Sequence, residues 1–185
     1  MLVLASASPR RREILTNAGL AFTVQAANVP EEPETGESPI ACAERLAREK
    51  AMAVRQQRPS DTVLGADTVV VVGNAALGKP ANNEDAARML RLLSGRTHQV
   101  VTGVCLAGTG FEDTRSETTA VTMDVLSEED IRFYVSTREP MDKAGAYAIQ
   151  GIASRWISRI EGDYFNVVGL PVSLVYRMLR EHGSL

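Results

Sequence analysis

The sequence predicts a mixed α/β fold, formed by a single domain over residues 1–185. Apolar runs of strand length occur singly between helical segments and also in hairpin-like pairs, which indicates a sheet with both parallel and antiparallel strands. The chain has 185 residues, of which 44% are hydrophobic and 23% charged, so it is long enough to bury its own core. We therefore expect a central mixed sheet flanked by helices.

The N-terminal segment predicts a strand, a helix and a second strand. Residues 2–5 are apolar and short enough for a buried strand, and residues 9–18 read as a helix that ends at Gly19. A strand near residues 22–25 follows. The prolines and glutamates of residues 26–38 then predict an acidic surface loop.

A long helix is predicted over residues 39–57, because Pro39 suits a first helical turn and apolar residues recur at helical spacing. Residues 62–72 are rich in β-branched side chains. We expect Asp67 to interrupt this run, since a charged residue fits poorly in a buried strand. Gly73-Asn74 then predicts a hairpin turn.

The C-terminal half continues the alternation of helices and strands. The predicted elements are a helix from Asn82 or Asn83 to about residue 93, paired strands over residues 98–107 and 118–125, a helix capped by Ser127, a glycine-rich loop over residues 140–151, a strand over residues 156–160 and a helix over residues 171–181.

Composition excludes several functional classes. The formal net charge of −3 gives no overall basic field, so we expect no nucleic-acid partner. No segment reaches the roughly 18 apolar residues of a membrane span, and residues 1–7 are too short for a signal peptide. Cys42 and Cys105 lie in apolar or small-residue surroundings and are expected to be buried, reduced thiols. These features predict a cytoplasmic protein without a membrane partner.

The first predicted helix carries its charges at the wrong end. Ser8 is a good N-cap, yet Arg10, Arg11 and Arg12 fill the first turn, where a helix favours negative charge. A phosphate group would resolve this conflict by accepting hydrogen bonds from Ser6, Ser8, the free backbone N–H groups and the guanidinium groups. The alternative is a solvated basic turn. The residues favour a phosphate site, for which Ser6, Ser8, Arg10 and Arg11 are the candidates.

Lys50 and Asp67 are charged residues at positions that should be buried. Lys50 falls on the apolar side of its helix, where it needs a partner unless its long side chain reaches solvent. Asp67 should meet a cation or a metal ion. One or two carboxylates with phosphate oxygens form the usual magnesium site, and Glu31 or Glu32 could supply the second carboxylate. A turn-forming role for Asp67, or an ion pair with Lys79, is an equal alternative.

Several loop residues could contact a ligand. Lys79 and Lys143 lie among small residues that let a ligand approach the backbone. The amide of Gln150 donates and accepts side by side, which matches the imide edge of uracil or thymine, although loop glutamines are commonly just solvated. His98 and His182 have no second ligand at metal-binding spacing, so a zinc site is not expected.

Eight motifs occur in order along the chain: Ser6-Ala-Ser-Pro-Arg-Arg, Leu46-Ala-Arg-Glu-Lys50-Ala, Gly65-Ala-Asp67-Thr68, Gly78-Lys79-Pro80, Leu93-Ser-Gly95 with Thr97-His98, Asp142-Lys143-Ala-Gly, Ile149-Gln150-Gly151 and Asn166-Val-Val-Gly-Leu-Pro171. Together they resemble the Maf family of nucleotide pyrophosphatases, which is structurally similar to the inosine triphosphate pyrophosphatases. The resemblance implies a bilobed domain with an elongated mixed sheet, and a homodimer. It also implies metal-dependent hydrolysis of a nucleoside triphosphate to the monophosphate and pyrophosphate, with Mg²⁺, Mn²⁺ or Co²⁺.

The resemblance also implies roles for individual residues. Asp67 corresponds to the catalytic base and a metal ligand, and Glu31, or else Glu32, to the acidic residue of the loop. We also expect Lys50 and Lys79 to supply positive charge to the triphosphate. Arg138 stands where relatives often have glycine.

In the family that this chain resembles, three positions are associated with substrate choice. They correspond to Arg11, Thr68 and Gln150. Glutamine at the third position resembles the group acting on dTTP, UTP and modified pyrimidine nucleotides, whereas glutamate resembles the group acting on 7-methyl-GTP. The alternatives are a nucleotide-binding regulator of cell division with negligible turnover, and a phosphatase that releases orthophosphate.

Overall fold

The structure is a computed structural model that describes all residues, 1–185, and contains seven strands and six α-helices. The elements are β1 (Leu2–Leu4), α1 (Pro9–Asn17), β2 (Thr23–Val24), α2 (Pro39–Arg55), β3 (Thr62–Val72), β4 (Ala75–Leu77), α3 (Asn83–Leu93), β5 (Thr97–Gly108), β6 (Phe111–Met123), α4 (Glu128–Ser136), β7 (Ile157–Glu161), α5 (Tyr164–Val168) and α6 (Val172–Glu181), with 3₁₀ turns at Glu139–Asp142, Ala144–Ala146 and Ile152–Trp156.

The strands form one mixed sheet in the order β2-β1-β3-β5-β6-β7, with β4 paired to β3. β1 runs parallel to both of its neighbours, with Val3 opposite Thr23 and Val63. The β3–β4 and β6–β7 pairs are antiparallel. The predicted mixed α/β fold is therefore confirmed.

Two features of the strands differ from the sequence prediction. β3 continues through Asp67 from Thr62 to Val72, so the expected interruption is wrong. The carboxylate does not break the strand because it has a buried cationic partner, described below. β6 begins at Phe111 rather than near residue 118, and its first half is only half-buried. The polar side chains of this half fit a strand with a partly solvated face.

The segment between α4 and β7 is more ordered than the predicted loop, because it contains three 3₁₀ turns. Arg138 precedes the first of them in a left-handed conformation with φ of 62°. A side chain in this region is strained, which explains why glycine suits the position. Arg138 is exposed, so its side chain meets no steric obstacle. The short helix α5 was not predicted.

Contacts divide the chain into two compact units. The first unit comprises Met1–Asp67, Thr102–Glu117 and Gly169–Leu185, and the second comprises Thr68–Val101 and Thr118–Val168. The predicted apolar face of α2 is confirmed in the first unit, where it packs on the sheet in a cluster formed by Val3, Ala5, Ala47, Ala51, Val54, Val63, Cys105 and Ala107. Cys42 and Cys105 are both free and buried, as expected.

Glycines let α2 approach the sheet closely. A Cβ added at Gly65 would overlap the carbonyl oxygen of Ala47, and one added at Gly103 would overlap the carbonyl oxygen of Ala43. The helix backbone therefore lies directly on the two strands. This contact fixes where the side chains of α2 lie along β3.

In the second unit, α3 packs against α4 and against the turn at Ala144–Ala146. The ring of Tyr134 on α4 meets Trp156 edge-to-face, with ring centroids 5.5 Å apart. Ser127 caps α4 through a reciprocal capping box with Asp130, and Asn82 caps α3, as predicted. No helix in the structure combines the length and apolarity required to cross a membrane.

The close contact of α2 gives a testable prediction. Gly103→Ala should destabilise the protein by about 1–3 kcal/mol, because the added methyl group must displace helix backbone rather than a flexible side chain. Urea unfolding measures this change. Gly78→Ala is the matched control, because a Cβ there meets no atom within 4 Å and φ is not positive. Equal stability of the two variants would contradict the close packing.

Candidate active site

The first turn of α1 is organised by serine hydroxyls. Ser8 is the N-cap, and Pro9 follows it in the first turn. The Oγ of Ser8 accepts a hydrogen bond from the backbone N–H of Arg11 at 3.5 Å. Ser6 is buried, and its Oγ accepts from the N–H of Ser8 at 3.2 Å and from Nη1 of Arg11 at 3.1 Å. No acidic residue occupies this turn. The helix dipole and the cationic side chains therefore leave a net positive end on the helix.

Arg11 is held in place by a contact that is distant in sequence. Its Nε donates to the carbonyl oxygen of Gly169 at 2.8 Å. Burial lowers the pKa of its guanidinium, while the negative charges of Asp67 and Glu31 oppose that shift and Arg10 adds to it. The four charged side chains therefore influence each other within the first unit.

Lys50 lies between two carboxylates. Its Nζ is 2.6 Å from Oδ1 of Asp67 and 2.6 Å from Oε1 of Glu31. The side chains of Lys50 and Asp67 are only 8% and 13% exposed, whereas Glu31 is 44% exposed. A buried charge without a partner costs several kcal/mol, so Lys50 and Asp67 depend on each other. The sequence-based alternative, in which Lys50 reaches solvent, is not what the structure shows.

The acidic loop is tied to α2 next to Glu31. Nη2 of Arg45 donates to the carbonyl oxygen of Glu32 at 3.0 Å, and its Nε pairs with Oε1 of Glu37 at 2.7 Å. The hydrogen bonds from Arg45 lower the pKa of Glu37 to about 2, so this carboxylate stays ionised. In this arrangement Glu31, rather than Glu32, faces Lys50.

Asp67 and Glu31 are suitable ligands for a divalent cation. Each carboxylate has one oxygen 2.6 Å from Nζ of Lys50, so the two carboxylates are close neighbours. No group of three or more His, Cys, Asp or Glu side chains could form an all-protein metal site. Magnesium needs only one or two carboxylates when phosphate oxygens and waters complete its coordination. The donor set therefore fits this kind of cation.

The other predicted ligands belong to the second unit. Thr68 follows Asp67 in β3 and is half-buried, and Lys79 is exposed after β4. Lys143 donates from Nζ to the carbonyl oxygen of Glu139 at 2.7 Å, and Gln150 is exposed before the third 3₁₀ turn. The structure places Lys143 and Gln150 on one segment that Glu139 stabilises, a contact that sequence reasoning missed.

A buried pair in the second unit was also missed. Nε2 of His98 lies 2.7 Å from the hydroxyl of Tyr147, and the two rings meet edge-to-face. His98 is 2% exposed, and its Nδ1 has no hydrogen-bond partner. Burial lowers the pKa of His98 to about 4, so the ring is neutral near pH 7. Strand alternation alone could have indicated that His98 faces inward.

The family described as "Maf-like protein" matches residues 1–182. The chain belongs to the Maf-like family. A dTTP/UTP pyrophosphatase of Koribacter versatilis (strain Ellin345) is 58% identical over 184 residues, which cover 100% of this Maf-like chain and 95% of the relative. A dTTP/UTP pyrophosphatase of Symbiobacterium thermophilum is 50% identical over 182 residues, with coverage of 98% and 94%.

A solved structure has the same kind of fold. The Ham1 protein of Staphylococcus aureus matches this Maf-like chain with a TM-score of 0.54 and 17% sequence identity, covering 98% of each chain. At this identity the similarity concerns the fold alone.

The neutral state of His98 predicts a pH-dependent stability. Its pKa is lowered from 6.5 to about 4 in the folded chain, so the unfolded state binds the proton more readily between these values. The contribution of His98 to the free energy of unfolding is therefore at its full value above pH 6.5 and decreases as the pH falls from 6.5 toward 4. His98→Gln keeps a nitrogen donor near Tyr147 but cannot titrate, so its stability should fall less over this range. Urea midpoints at pH 4.5 and 7.5 measure the difference, and parallel losses in both proteins would contradict it.

Proposed function

We propose that this Maf-like chain hydrolyses a nucleoside triphosphate, namely dTTP, UTP or a modified pyrimidine nucleotide, to the monophosphate and pyrophosphate. The observation that carries the proposal is the buried ammonium of Lys50 between Asp67 and Glu31, two carboxylates that also interact electrostatically with Arg11 at the arginine-rich N-terminus of α1. The names of the relatives support the substrate class, because those at 58% and 50% identity are called dTTP/UTP pyrophosphatases.

The α1 N-terminus is proposed to bind phosphate oxygens. Backbone N–H groups of the first turn point along the helix axis toward an anion there. The guanidinium groups of Arg10 and Arg11 add charge, and the hydroxyls of Ser6 and Ser8 add donors. Since Gly169 and Ser6 already fix Arg11, little side-chain entropy is lost on binding.

Asp67 is proposed to activate the attacking water. Lys50 holds the carboxylate in one orientation, in which it accepts a hydrogen bond from water and takes its proton as the oxygen attacks the α-phosphorus. The bond between the α-phosphorus and the bridging oxygen breaks, and pyrophosphate leaves with that oxygen. Positive charge from Lys50 and Lys79 stabilises the phosphate oxygens in this step.

Asp67 and Glu31 are proposed to hold a divalent cation, Mg²⁺, Mn²⁺ or Co²⁺. When bound, such a cation neutralises charge on the triphosphate oxygens. The support is that the two carboxylates are close neighbours, each with one oxygen 2.6 Å from Nζ of Lys50, and a pair of carboxylates suits a cation shared with phosphate groups.

Base preference is proposed to depend on Gln150 and Thr68, with Lys143 as a further nucleotide contact. The exposed amide of Gln150 can donate to a carbonyl oxygen and accept from the imide N–H of uracil or thymine. A glutamate at the same position could only accept, which suits the N–H donors of a guanine.

Domain organisation, oligomeric state and location are further proposals. We propose that residues 1–185 act as one domain, which the match over residues 1–182 supports. A homodimer and a cytoplasmic location are proposed as well, the latter supported by the two free, buried cysteines. The alternative, a regulator of cell division with negligible turnover, is not favoured by the names of the relatives.

Asp67→Asn should reduce pyrophosphate release by about 10²–10⁴-fold, because it removes the general base. The measurement is a screen of triphosphates with Mg²⁺, Mn²⁺ or Co²⁺ in which monophosphate, pyrophosphate and orthophosphate are quantified separately. Chelation of the metal should abolish turnover. Orthophosphate as the first product would indicate a phosphatase, and binding without turnover by the wild type would indicate a regulator.

Asp61→Asn is the matched control for this substitution. Asp61 precedes β3 and also forms ion pairs, with Arg58 and with the N-terminal amine. It should keep wild-type turnover while losing ion pairs whose partners are more exposed than Lys50. Near-wild-type pyrophosphate release by a folded Asp67→Asn protein would refute the assignment of the base.

Gln150→Glu should move the preference from UTP and dTTP toward 7-methyl-GTP, because the carboxylate loses the amide donor and gains acceptor capacity. The ratio of kcat/KM values for UTP and 7-methyl-GTP measures the change. We expect that ratio to fall by tenfold or more, roughly the worth of one hydrogen bond to a charged group. Gln99→Glu, at an exposed glutamine of the same unit, is the control. An unchanged ratio would count against base reading by Gln150.

A further inference from the structure

Glu139 is a half-buried carboxylate that the proposed chemistry does not use. It follows α4 and opens the 3₁₀ turn at Glu139–Asp142. We propose that Glu139 is a positioning residue that fixes the backbone on both sides of Gln150 and thereby sets the affinity for the pyrimidine base. This inference rests on the proposed function, because Gln150 is taken to contact the base.

The carboxylate of Glu139 bonds to the backbone that follows Gln150. Its Oε1 accepts from the N–H of Ile152 at 3.0 Å, and its Oε2 lies 3.3 Å from the same nitrogen. Both oxygens thus face one amide group, which starts the turn at Ile152–Trp156. The C-terminal side of the Gln150 segment is therefore bound to a charged acceptor, the stronger class of hydrogen bond.

The backbone that precedes Gln150 is bound through a hydroxyl. Tyr134 donates from its hydroxyl to Oε1 of Glu139 at 2.9 Å and accepts from the N–H of Ala148 at 3.1 Å. Tyr134 is fully buried and packs against Trp156, so its hydroxyl is fixed on α4. Burial raises the pKa of Tyr134 above its ordinary value, which keeps the hydroxyl proton available for donation. One carboxylate thus stabilises the chain on both sides of Gln150.

Gly151 makes room for this carboxylate. A Cβ at that position would overlap the carboxylate of Glu139, so the two groups lie in direct contact. Its φ of −103° is accessible to any residue, and glycine is therefore needed for space rather than for conformation. The N–H of Gly151 also donates to the carbonyl oxygen of Ala148 at 3.1 Å, which closes the turn around Gln150.

The same residue also holds Lys143. The main-chain carbonyl of Glu139 accepts from Nζ of Lys143 at 2.7 Å. Because this acceptor is backbone, it survives any substitution of the side chain. Substitutions at Glu139 therefore remove the side-chain hydrogen bonds that order the backbone around Gln150 and keep the hydrogen bond to Lys143.

The consequence is an exposed amide on a fixed backbone. A side chain whose backbone is already ordered loses less entropy when it binds, so affinity is gained without a new contact to the ligand. Removing the carboxylate keeps the Gln150 side chain but takes the acceptor away from the N–H of Ile152 and from the hydroxyl of Tyr134, so the backbone around Gln150 is less ordered. We expect the weaker binding to appear as a higher KM for pyrimidine triphosphates.

The test compares Glu139→Ala and Glu139→Gln with the wild type in pyrophosphate release from UTP with Mg²⁺. Glu139→Ala should raise KM by up to about tenfold, the value reached when the full worth of one charged hydrogen bond becomes an ordering cost on binding. Glu139→Gln should raise KM less, because an amide oxygen still accepts from Ile152. A purely structural role would lower kcat through a smaller folded fraction and leave KM unchanged. Glu129→Ala, at an exposed glutamate on α4, is the control and should match the wild type.

A double-mutant cycle decides whether Glu139 acts through Gln150. In a Gln150→Ala background, Glu139→Ala should add little to KM, because coupled residues are not additive. An equal rise in both backgrounds would overturn the proposal, as would an unchanged KM in Glu139→Ala. If that variant does not fold, the same comparison with Glu139→Gln gives the answer. Absence of pyrophosphate release by the wild type would instead refute the proposed function, so the two failures are distinguishable.

Discussion

A buried lysine shared by two carboxylates is the interaction on which the first unit depends. Lys50 lies on the face of α2 that packs against the sheet, and glycines in β3 and β5 bring that helix into backbone contact. At this distance the ammonium cannot avoid burial, so it requires a negative partner on β3. Asp67 supplies it, and the strand can therefore continue through a charged residue. Close packing and charge pairing are thus two aspects of one constraint.

Local sequence patterns predicted most of the fold. Caps such as Ser127 and Asn82 mark helix starts because their side chains bond to nearby backbone, within three residues. The interruption of β3 at Asp67 was predicted wrongly because its compensation comes from Lys50, on another element. The early start of β6 and helix α5 were missed for a related reason, since polar or short segments carry little periodic signal.

The candidate site was only partly predictable for the same physical reason. Charges in unusual places indicated Lys50, Asp67 and the α1 arginines, because burial or a helix end makes each of them unfavourable alone. The partner of Arg11 is a carbonyl oxygen of Gly169, and any residue type provides one. Glu139 likewise acts through backbone amides that no side-chain pattern reveals. Such backbone contacts can be identified only from the folded structure, because they do not depend on residue type.

The ties that hold the acidic loop have a consequence for conditions in solution. Asp67 is carried by a central strand whose hydrogen bonds and packing are insensitive to salt. Glu31 lies on a loop attached to α2 through Arg45 and its carboxylate partners, which are partly exposed. The Debye length is about 10 Å at 0.1 M ionic strength and shortens as salt is added, so salt weakens the attraction of Arg45 for the exposed Glu34 more than it weakens a buried ion pair. The two carboxylates thus differ in how firmly they are held, and rising ionic strength would loosen Glu31 while Asp67 remained fixed.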